Sequence, residues 1–269
     1  MLINWESSIL EKMNPELKSK MMIKLEQLNN ISKIDEDENE NNTEYKCVIC
    51  RDLKYIIDDV TDEASPCKCK IIQDTKERLA KSEISSVLKD KTFKSYDYKI
   101  HKECADAMFS AIKFCEEFSL ITESKSIIFC GRSGVGKSHL SIAIANNLIE
   151  KGIPVIYMSY REIITKLKQN ITDDTIYSTL INKYKSEKVL IIDDLFKGRI
   201  TESDVNIMFE IINYRYLNQL PIIISTEKTP ESILNIDEAI GSRIIEMSKG
   251  YIIEFTASGL NYRLNNYSK

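Results

Sequence analysis

The sequence predicts an α/β fold in which helices cover both faces of a five-stranded parallel sheet, preceded by a smaller N-terminal domain. The first observation is the segment Gly-Arg-Ser-Gly-Val-Gly-Lys-Ser at residues 131–138, which lies between an apolar run and a helix-patterned segment. The second is the alternation of five strand-like runs with helical segments after Lys125, which is typical of a parallel sheet covered on both faces. The third is a pair of carboxylates, Asp193 and Asp194, that ends an apolar strand.

The composition narrows the class of protein. With 269 residues, of which 43% are hydrophobic, the chain can hold one large domain or a medium and a small one. Its 37 basic and 41 acidic residues give a net charge of −4, so any contact with nucleic acid requires a local basic patch. No apolar stretch approaches the about 20 residues needed to span a membrane, and the N-terminus does not resemble a secretion signal. We therefore expect a cytoplasmic protein without a membrane partner.

Residues 1–97 are predicted to form the N-terminal domain and residues 98–269 the C-terminal one. Apolar residues at near-helical spacing predict an amphipathic helix from Glu6 to Leu28, whose apolar face either docks on a partner or packs within its own domain. The acidic segment from Asp35 to Asn42 has no apolar residue to bury and is predicted to be a solvated linker. Further helices are predicted from Ile71 to about Leu88 and from Met108 to Phe118.

A C-x2-C and a C-x-C pair mark a cysteine module at about residues 45–70. The four cysteines are Cys47, Cys50, Cys67 and Cys69. In a reducing compartment cysteines favour metal binding over disulfides, and four thiolates suit tetrahedral Zn²⁺, which would organise a module too small for its own core. The alternative is a set of unrelated buried cysteines. His101 or Cys104 is a competing ligand for one of the four positions.

The glycine-rich segment has the sequence motif of a phosphate-binding loop. Backbone N–H groups at a helix N-terminus can surround a triphosphate only where no Cβ intrudes, which explains the glycines. Lys137 is predicted to reach the β- and γ-phosphates of ATP, and the Ser138 hydroxyl to complete the shell of Mg²⁺. A glycine-rich turn that merely packs well would not require Gly-Lys-Ser at the start of a helix. The predicted nucleotide site comprises Gly131, Arg132, Ser133, Gly134, Val135, Gly136, Lys137 and Ser138.

Four further positions are candidates for roles in ATP hydrolysis. Asp193 is expected to hold Mg²⁺ through water, and Asp194 to orient the attacking water. Thr226 ends the next strand, where it either senses the γ-phosphate or caps the following helix. Arg243, in Gly-Ser-Arg-Ile, either reaches the γ-phosphate of a neighbouring subunit or forms a surface salt bridge.

The order of these motifs resembles that of the DnaC/DnaI family of helicase loaders, including phage-encoded members. The resemblance covers roughly Tyr45 to Leu264. Its motifs are the cysteine module, the Lys-Thr-Phe connector at 91–93, the phosphate loop with the following His-Leu, Leu-Ile-Ile-Asp-Asp-Leu, and Asn-Tyr-Arg-Leu at 261–264. It implies an N-terminal domain, often zinc-containing, that binds a DnaB-type replicative helicase, and a C-terminal AAA+ domain that binds ATP and single-stranded DNA.

The resemblance also assigns roles to residues. It implies that Lys137 and Ser138 bind nucleotide and Mg²⁺ and that Asp193 and Asp194 form the Walker B pair. It makes Arg243 the arginine finger. Arg263 becomes a candidate second sensor that contacts the nucleotide.

Two features depart from the common pattern of that family. Glu227 stands where relatives often have Asn. Only 14 residues follow Phe255, too few for the helical lid of most AAA+ proteins, and loaders of this group resemble one another in lacking that lid. The segment Tyr160 to Asn170 either binds single-stranded DNA or is a solvated helix face. Its candidate DNA contacts are Tyr160, Arg161, Lys166 and Lys168.

The sequence therefore predicts an ATP-dependent loader that delivers a replicative helicase onto single-stranded DNA during initiation. Its ATPase activity should be weak and stimulated by partners, and it should form an ATP-dependent homo-oligomer on the helicase. One alternative is a transposition-associated ATPase of the IstB type, whose AAA+ core is closely similar. A second is a non-catalytic adaptor that binds zinc and nucleotide.

Overall fold

The computed structural model describes residues 45–57, 63–81, 90–118, 125–257 and 259–262. The predicted helix from Glu6 to Leu28, the acidic linker from Asp35 to Asn42 and the candidate sensor Arg263 lie outside the described residues. So do the residues after Tyr262, and the predicted absence of a helical lid therefore stays a prediction.

The chain divides into two compact units, residues 1–52 and 53–269. The described part of the first unit, residues 45–52, is a turn. Backbone N–H groups of Lys46 and Cys47 donate to the carboxylate of Asp52 at 3.0 and 2.9 Å, which closes the turn on itself. The predicted domain boundary after residue 97 stays a prediction.

The second unit begins with small elements. Strands β1 (Tyr55–Ile57) and β2 (Ala64–Pro66) form an antiparallel pair, and helix α1 (Lys68–Lys81) follows. A 3-10 helix (Tyr98–Ile100) leads into α2 (Lys102–Glu117). Helix α2 begins six residues before the predicted start, because the side chain of His101 accepts from the Glu103 N–H and so caps it.

The rest of the unit is a sheet of five strands, all parallel, in the order β4-β5-β6-β3-β7. This confirms the predicted five-stranded parallel sheet. The strands are β3 (Ile127–Gly131), β4 (Val155–Ser159), β5 (Val189–Leu195), β6 (Ile222–Thr226) and β7 (Ile252–Phe255). Because the strands are parallel, the ends of β5 and β6 meet at the edge of the sheet where β3 enters the phosphate loop.

Helices cover both faces of this sheet and bury two apolar clusters. The helices are α3 (Lys137–Glu150), α4 (Tyr160–Gln169), α5 (Asp174–Ser186), α6 (Glu202–Leu217), α7 (Pro230–Ile236) and α8 (Glu238–Met247). Helices α2 and α3 bury one face, with Phe114 and Phe129 in its cluster, and α4 to α8 bury the other. Among the described helices, none combines the length and apolarity that crossing a membrane would need.

Arg215 of α6 is a fully buried cation that contacts the segments leading into β5 and β6. Its guanidinium is 0% exposed and donates only to main-chain carbonyls. The acceptors are those of Tyr184, Lys185, Glu187, Lys188 and Pro221, at 2.8 to 3.3 Å. These carbonyls lie at the end of α5, just before β5 and just before β6, so one side chain connects three chain segments.

We expect Arg215→Met to destabilise the protein strongly, because five main-chain carbonyls lose a hydrogen bond from a fully buried side chain. A loss of about 3 kcal/mol or more in the free energy of unfolding follows from the usual cost of unsatisfied buried groups. Urea denaturation followed by circular dichroism measures it. The exposed Arg199 supplies the matched control, Arg199→Met, which should stay within about 0.5 kcal/mol of wild type. Equal effects of the two substitutions would contradict this role of Arg215.

Candidate nucleotide site

The glycine-rich segment forms a tight loop between β3 and α3. Gly134 and Gly136 have φ of +85° and +95°, in the left-handed region that favours glycine. A Cβ on Gly134 would lie 2.2 Å from Oδ1 of Asn261, and one on Gly136 would lie 2.6 Å from Cε2 of Tyr96. Backbone conformation and close neighbours therefore both require glycine. The loop opens on the free N–H groups at the start of α3, which suits an anionic phosphate chain.

Lys137 is the cation of this loop. Its side chain is almost fully buried, and Nζ donates to the carbonyl of Arg132 at 2.9 Å. Burial lowers the pKa of Lys137, while the carboxylates of Asp194, Glu227 and Asp193 act to raise it. The ammonium is thus held at the loop by surrounding carboxylates, where it can neutralise phosphate oxygens.

Asp193 receives hydroxyl hydrogen bonds from three different elements. Ser138 Oγ of α3 donates to Oδ1 at 2.6 Å, and the Tyr157 hydroxyl of β4 donates to Oδ2 at 2.7 Å. Ser225 of β6 also donates to Oδ1. Burial raises the pKa of Tyr157, and the neighbouring Asp193 raises it further, so this tyrosine stays a donor. The carboxylate therefore joins the predicted magnesium ligand Ser138 to the end of the sheet.

Sequence analysis missed Tyr157 and Ser225. Ser225 has a signal, because it is a hydroxyl residue one position before the end of the strand next to the one that carries Asp193, but the terminal Thr226 is the residue predicted there. Tyr157 has none, since nothing in an apolar strand marks one tyrosine hydroxyl as the partner of a distant carboxylate.

Asp194 lies within β5, at an irregularity near the end of the strand. Its φ is +58°, an uncommon conformation for a residue with a Cβ, and the pairing of β5 with β6 shifts register there. Its N–H donates to Ser225 Oγ at 3.0 Å, and its carboxylate Oδ2 lies 2.7 Å from Nζ of Lys197. The irregularity directs this second carboxylate into the cavity beside the phosphate loop.

Thr226 is fully buried, and its hydroxyl forms hydrogen bonds with the main chain near the ends of β5 and β6. It donates to the carbonyl of Leu195 at 2.8 Å and accepts from the N–H of Lys228 at 3.0 Å. Its role as a sensor of the γ-phosphate stays a prediction.

Arg243 lies on α8, away from the cavity of its own chain. Its Nη1 donates to the carbonyl of Ala239 at 2.8 Å, and its guanidinium lies 5.4 Å from the ring centroids of both Phe209 and Tyr216 on α6. Among the residues that the structure describes, no carboxylate forms a salt bridge with Arg243. Its role as an arginine finger stays a prediction.

The cavity beside the loop has a volume of about 280 Å³, and its lining includes the loop residues from Ser133 to Ser138. Tyr96, Ile100, Cys104 and Leu260 line it too and give it an apolar wall. Tyr262 joins this wall, and its N–H donates to the carbonyl of Gly134 at 3.0 Å. A wall of this chemistry beside a phosphate cradle fits a nucleoside triphosphate.

The four predicted metal ligands lie together. The Sγ atoms of Cys47, Cys50, Cys67 and Cys69 are all within 4.8 Å of one another, a spacing that suits one metal ion. The competing candidates have other roles: His101 caps α2, and the buried thiol of Cys104 lies beside Tyr96. The group of four is therefore the metal-binding candidate within the described part of the chain.

Of the candidate DNA contacts, Tyr160 does not present its ring to solvent. The ring is 1% exposed and packs edge-on against Phe196, with centroids 5.7 Å apart, because it belongs to the apolar cluster under α4. Lys168 forms an ion pair with Asp204 at 2.8 Å, and Arg161 donates to the carbonyls of the loop after β5. No aromatic platform remains among the four candidate DNA contacts.

The loop, the paired carboxylates and the strand order define a P-loop nucleotide-binding protein with an AAA+ core. The family model described as IstB-like ATP binding protein matches residues 68–246, more than half of the chain. The protein belongs to this IstB/DnaC-like family of ATP-binding AAA+ proteins. No activity follows from membership alone.

Two relatives from Bacillus subtilis (strain 168) illustrate the family. The phage-like element PBSX protein XkdC is 34% identical over 82% of this chain and 86% of its own length. The replicative helicase loader DnaI is 29% identical over 85% of this chain and 74% of its own length.

Solved structures show the same fold. The DnaC helicase loader has a TM-score of 0.50 at 25% identity, over 62% of this chain and 97% of that one. DnaI has a TM-score of 0.54 at 21% identity, over 65% of this chain and 93% of that one.

We expect Tyr157→Phe to weaken the Mg²⁺-dependent part of nucleotide binding, because Asp193 loses one of its three donors. The apparent affinity for Mg²⁺ in the presence of ATP should fall by about tenfold or more, as for a hydrogen bond to a charged group. Titration of Mg²⁺ against a fluorescent ATP analogue measures it. Tyr177→Phe is the matched control, since its hydroxyl also donates to a carboxylate, that of Glu210, away from the site. If both variants bound Mg²⁺ as wild type does, the positioning role of Tyr157 would be refuted.

Proposed function

We propose that this protein is an ATP-dependent loader that delivers a DnaB-type replicative helicase onto single-stranded DNA. The observation that carries the proposal is the extent of the similarity to the replicative helicase loader DnaI. Residues 68–269 make up only three quarters of the chain, so a match over 85% must include residues before the ATPase core. The similarity thus extends toward the part of the chain proposed to bind the helicase.

ATP acts as a timer in this proposal. The loop from Gly131 to Ser138 binds the phosphates, with Lys137 on the terminal ones, and Ser138 and Asp193 hold Mg²⁺. Asp194 orients the water that attacks the γ-phosphate. The hydrogen bond between Ser138 and Asp193 supports this division, because it brings both proposed Mg²⁺ positions together at the mouth of the loop. Hydrolysis then ends the state that holds the helicase.

Assembly completes the hydrolytic site in this proposal. Arg243 is partly exposed on α8 and does not line the cavity of its own chain, so a neighbouring subunit has to supply the finger. An incomplete site in the isolated subunit explains why basal hydrolysis should be weak and should rise on an ATP-dependent homo-oligomer. Thr226 and Arg263 complete the proposed contacts to the γ-phosphate.

Zinc is the proposed metal of the cysteine group, because four thiolates that lie this close together are its usual structural site. We expect the purified protein to carry about one zinc ion per chain, measured by atomic emission. Cys67→Ser, which removes a buried ligand, should abolish it.

Cys115→Ala serves as the control for the zinc experiment. Burial raises the pKa of the Cys115 thiol to about 12, so it stays protonated and cannot act as a thiolate ligand. Its substitution should leave the zinc content unchanged. Wild-type protein without metal, or full zinc content in Cys67→Ser, would contradict the zinc assignment.

The match to the IstB-like family model favours a second candidate, a transposition-associated ATPase. That model covers the ATPase core and only one of the four cysteines, so the cysteine group favours the loader. A third candidate, a non-catalytic adaptor, would use the nucleotide only for structure.

Lys137→Ala separates these candidates, because it removes the phosphate cation without touching the cysteine group. We expect the variant to bind the helicase as wild type does but to lose delivery onto single-stranded DNA by at least about tenfold, as expected for a lost phosphate contact. Co-purification measures binding, and unwinding of a forked substrate after loading measures delivery. Delivery that persists in Lys137→Ala would favour the adaptor. Wild-type protein that binds a transposase and not the helicase would favour the transposition ATPase.

A further inference from the structure

Lys197 is a second lysine at the nucleotide cavity, and no role has yet been assigned to it. Its Nζ lies between two carboxylates, 2.7 Å from Oδ2 of Asp194 and 3.4 Å from Oε1 of Glu227. The side chain lines the cavity together with Lys137 and Ser138. A cation at this place shares the cavity with the phosphate loop and with Asp194.

The backbone of Lys197 is fixed, while its side chain is held by the two ion pairs and is partly exposed. Its N–H donates to the carbonyl of Asp194 at 3.0 Å, and the preceding Phe196 is fully buried against Tyr160. The side chain, in contrast, is 41% exposed. A rotation of that side chain can therefore exchange its ionic partners without any movement of the sheet.

The charges around the cavity form one coupled set. The hydrogen bond to Asp194 raises the pKa of Lys197, so the ammonium stays charged at neutral pH. Lys197 in turn acts to lower the pKa of Lys137, and Asp194 and Glu227 act to raise it. The two ammonium groups are therefore close enough to repel, and an anion placed between them would be attracted by both.

We propose that Lys197 binds the γ-phosphate of ATP and that Asp194 and Glu227 hold it when no γ-phosphate is present. This inference rests on the proposed ATPase function. ATP brings a terminal phosphate that competes with the two carboxylates for one ammonium, whereas ADP does not. Lys197 thereby distinguishes ATP from ADP, and its transfer to the phosphate releases Asp194 to accept a hydrogen bond from water.

This arrangement also accounts for Glu227, the acidic residue that departs from the pattern of the resembling family. A glutamate beside a γ-phosphate would repel it unless a cation lay between them. Lys197 is that cation, 3.4 Å away. Glu227 therefore attracts the Lys197 ammonium back to its position beside Asp194 once the γ-phosphate has left.

The test compares equilibrium binding of fluorescent ATP and ADP analogues, each with Mg²⁺, to the purified full chain. Lys197→Met should weaken ATP binding by about tenfold, as for a charge-assisted contact, and change ADP binding by less than about twofold. Lys228→Met is the matched control, because it removes the same charge one residue from Glu227 but outside the lining of the cavity. It should leave the preference for ATP unchanged.

Glu227→Gln gives a second readout that misfolding cannot imitate, because the expected change is a gain. Removing the competing carboxylate should tighten ATP binding by about threefold, the size of a partly exposed ion pair. The gain should vanish in the double variant Lys197→Met with Glu227→Gln, since it acts through the lysine. A gain that persists in the double variant, or that appears equally for ADP, would reflect general repulsion and overturn the proposal.

An unchanged preference for ATP in Lys197→Met would also overturn it. The result is independent of the loader function, because the measurement needs neither helicase nor DNA. A protein that shows the lost preference but delivers no helicase would refute the loader proposal alone.

Discussion

The carboxylate of Asp193 is the interaction on which the site depends. It accepts hydroxyl hydrogen bonds from α3, β4 and β6, so one residue connects the phosphate loop to two neighbours of its own strand. A buried carboxylate is tolerated only when its oxygens are satisfied, and hydroxyl donors do this without neutralising its charge. The charge therefore remains available to a metal ion, while the position of the carboxylate is set by the sheet.

The buried and half-buried cations of this fold differ in the groups that compensate their charge. The two Nη groups of Arg215 donate to main-chain carbonyls alone, which fixes the guanidinium in place. Lys137 and Lys197 are balanced by carboxylates at the cavity, and a phosphate chain can replace those partners. The first arrangement stabilises the edge of the sheet, and the second makes the cavity responsive to its ligand.

The phosphate loop also contacts segments far from it in sequence. Tyr96 packs under Gly136, and Asn261 and Tyr262 contact Gly134. These contacts reach the loop from before α2 and from after β7. A change in the conformation of the loop on nucleotide binding would therefore alter its contacts with both flanking segments. Such coupled movement is what the proposed ATP-dependent switch requires.

Local patterns determined much of this protein in advance. Strand and helix periodicity predicted the five-stranded parallel sheet, and the spacing of glycines and cysteines located the phosphate loop and the four thiols, because these signals arise from neighbours in the chain. The partners of Asp193 were decided only by tertiary structure. Which hydroxyl faces that carboxylate, Ser225 and not Thr226, depends on the strand face that packing turns toward it. The burial of Tyr160 and of Arg215 likewise depends on the helices and strands that pack against them. These contacts join segments distant in the sequence, so no local pattern predicts them.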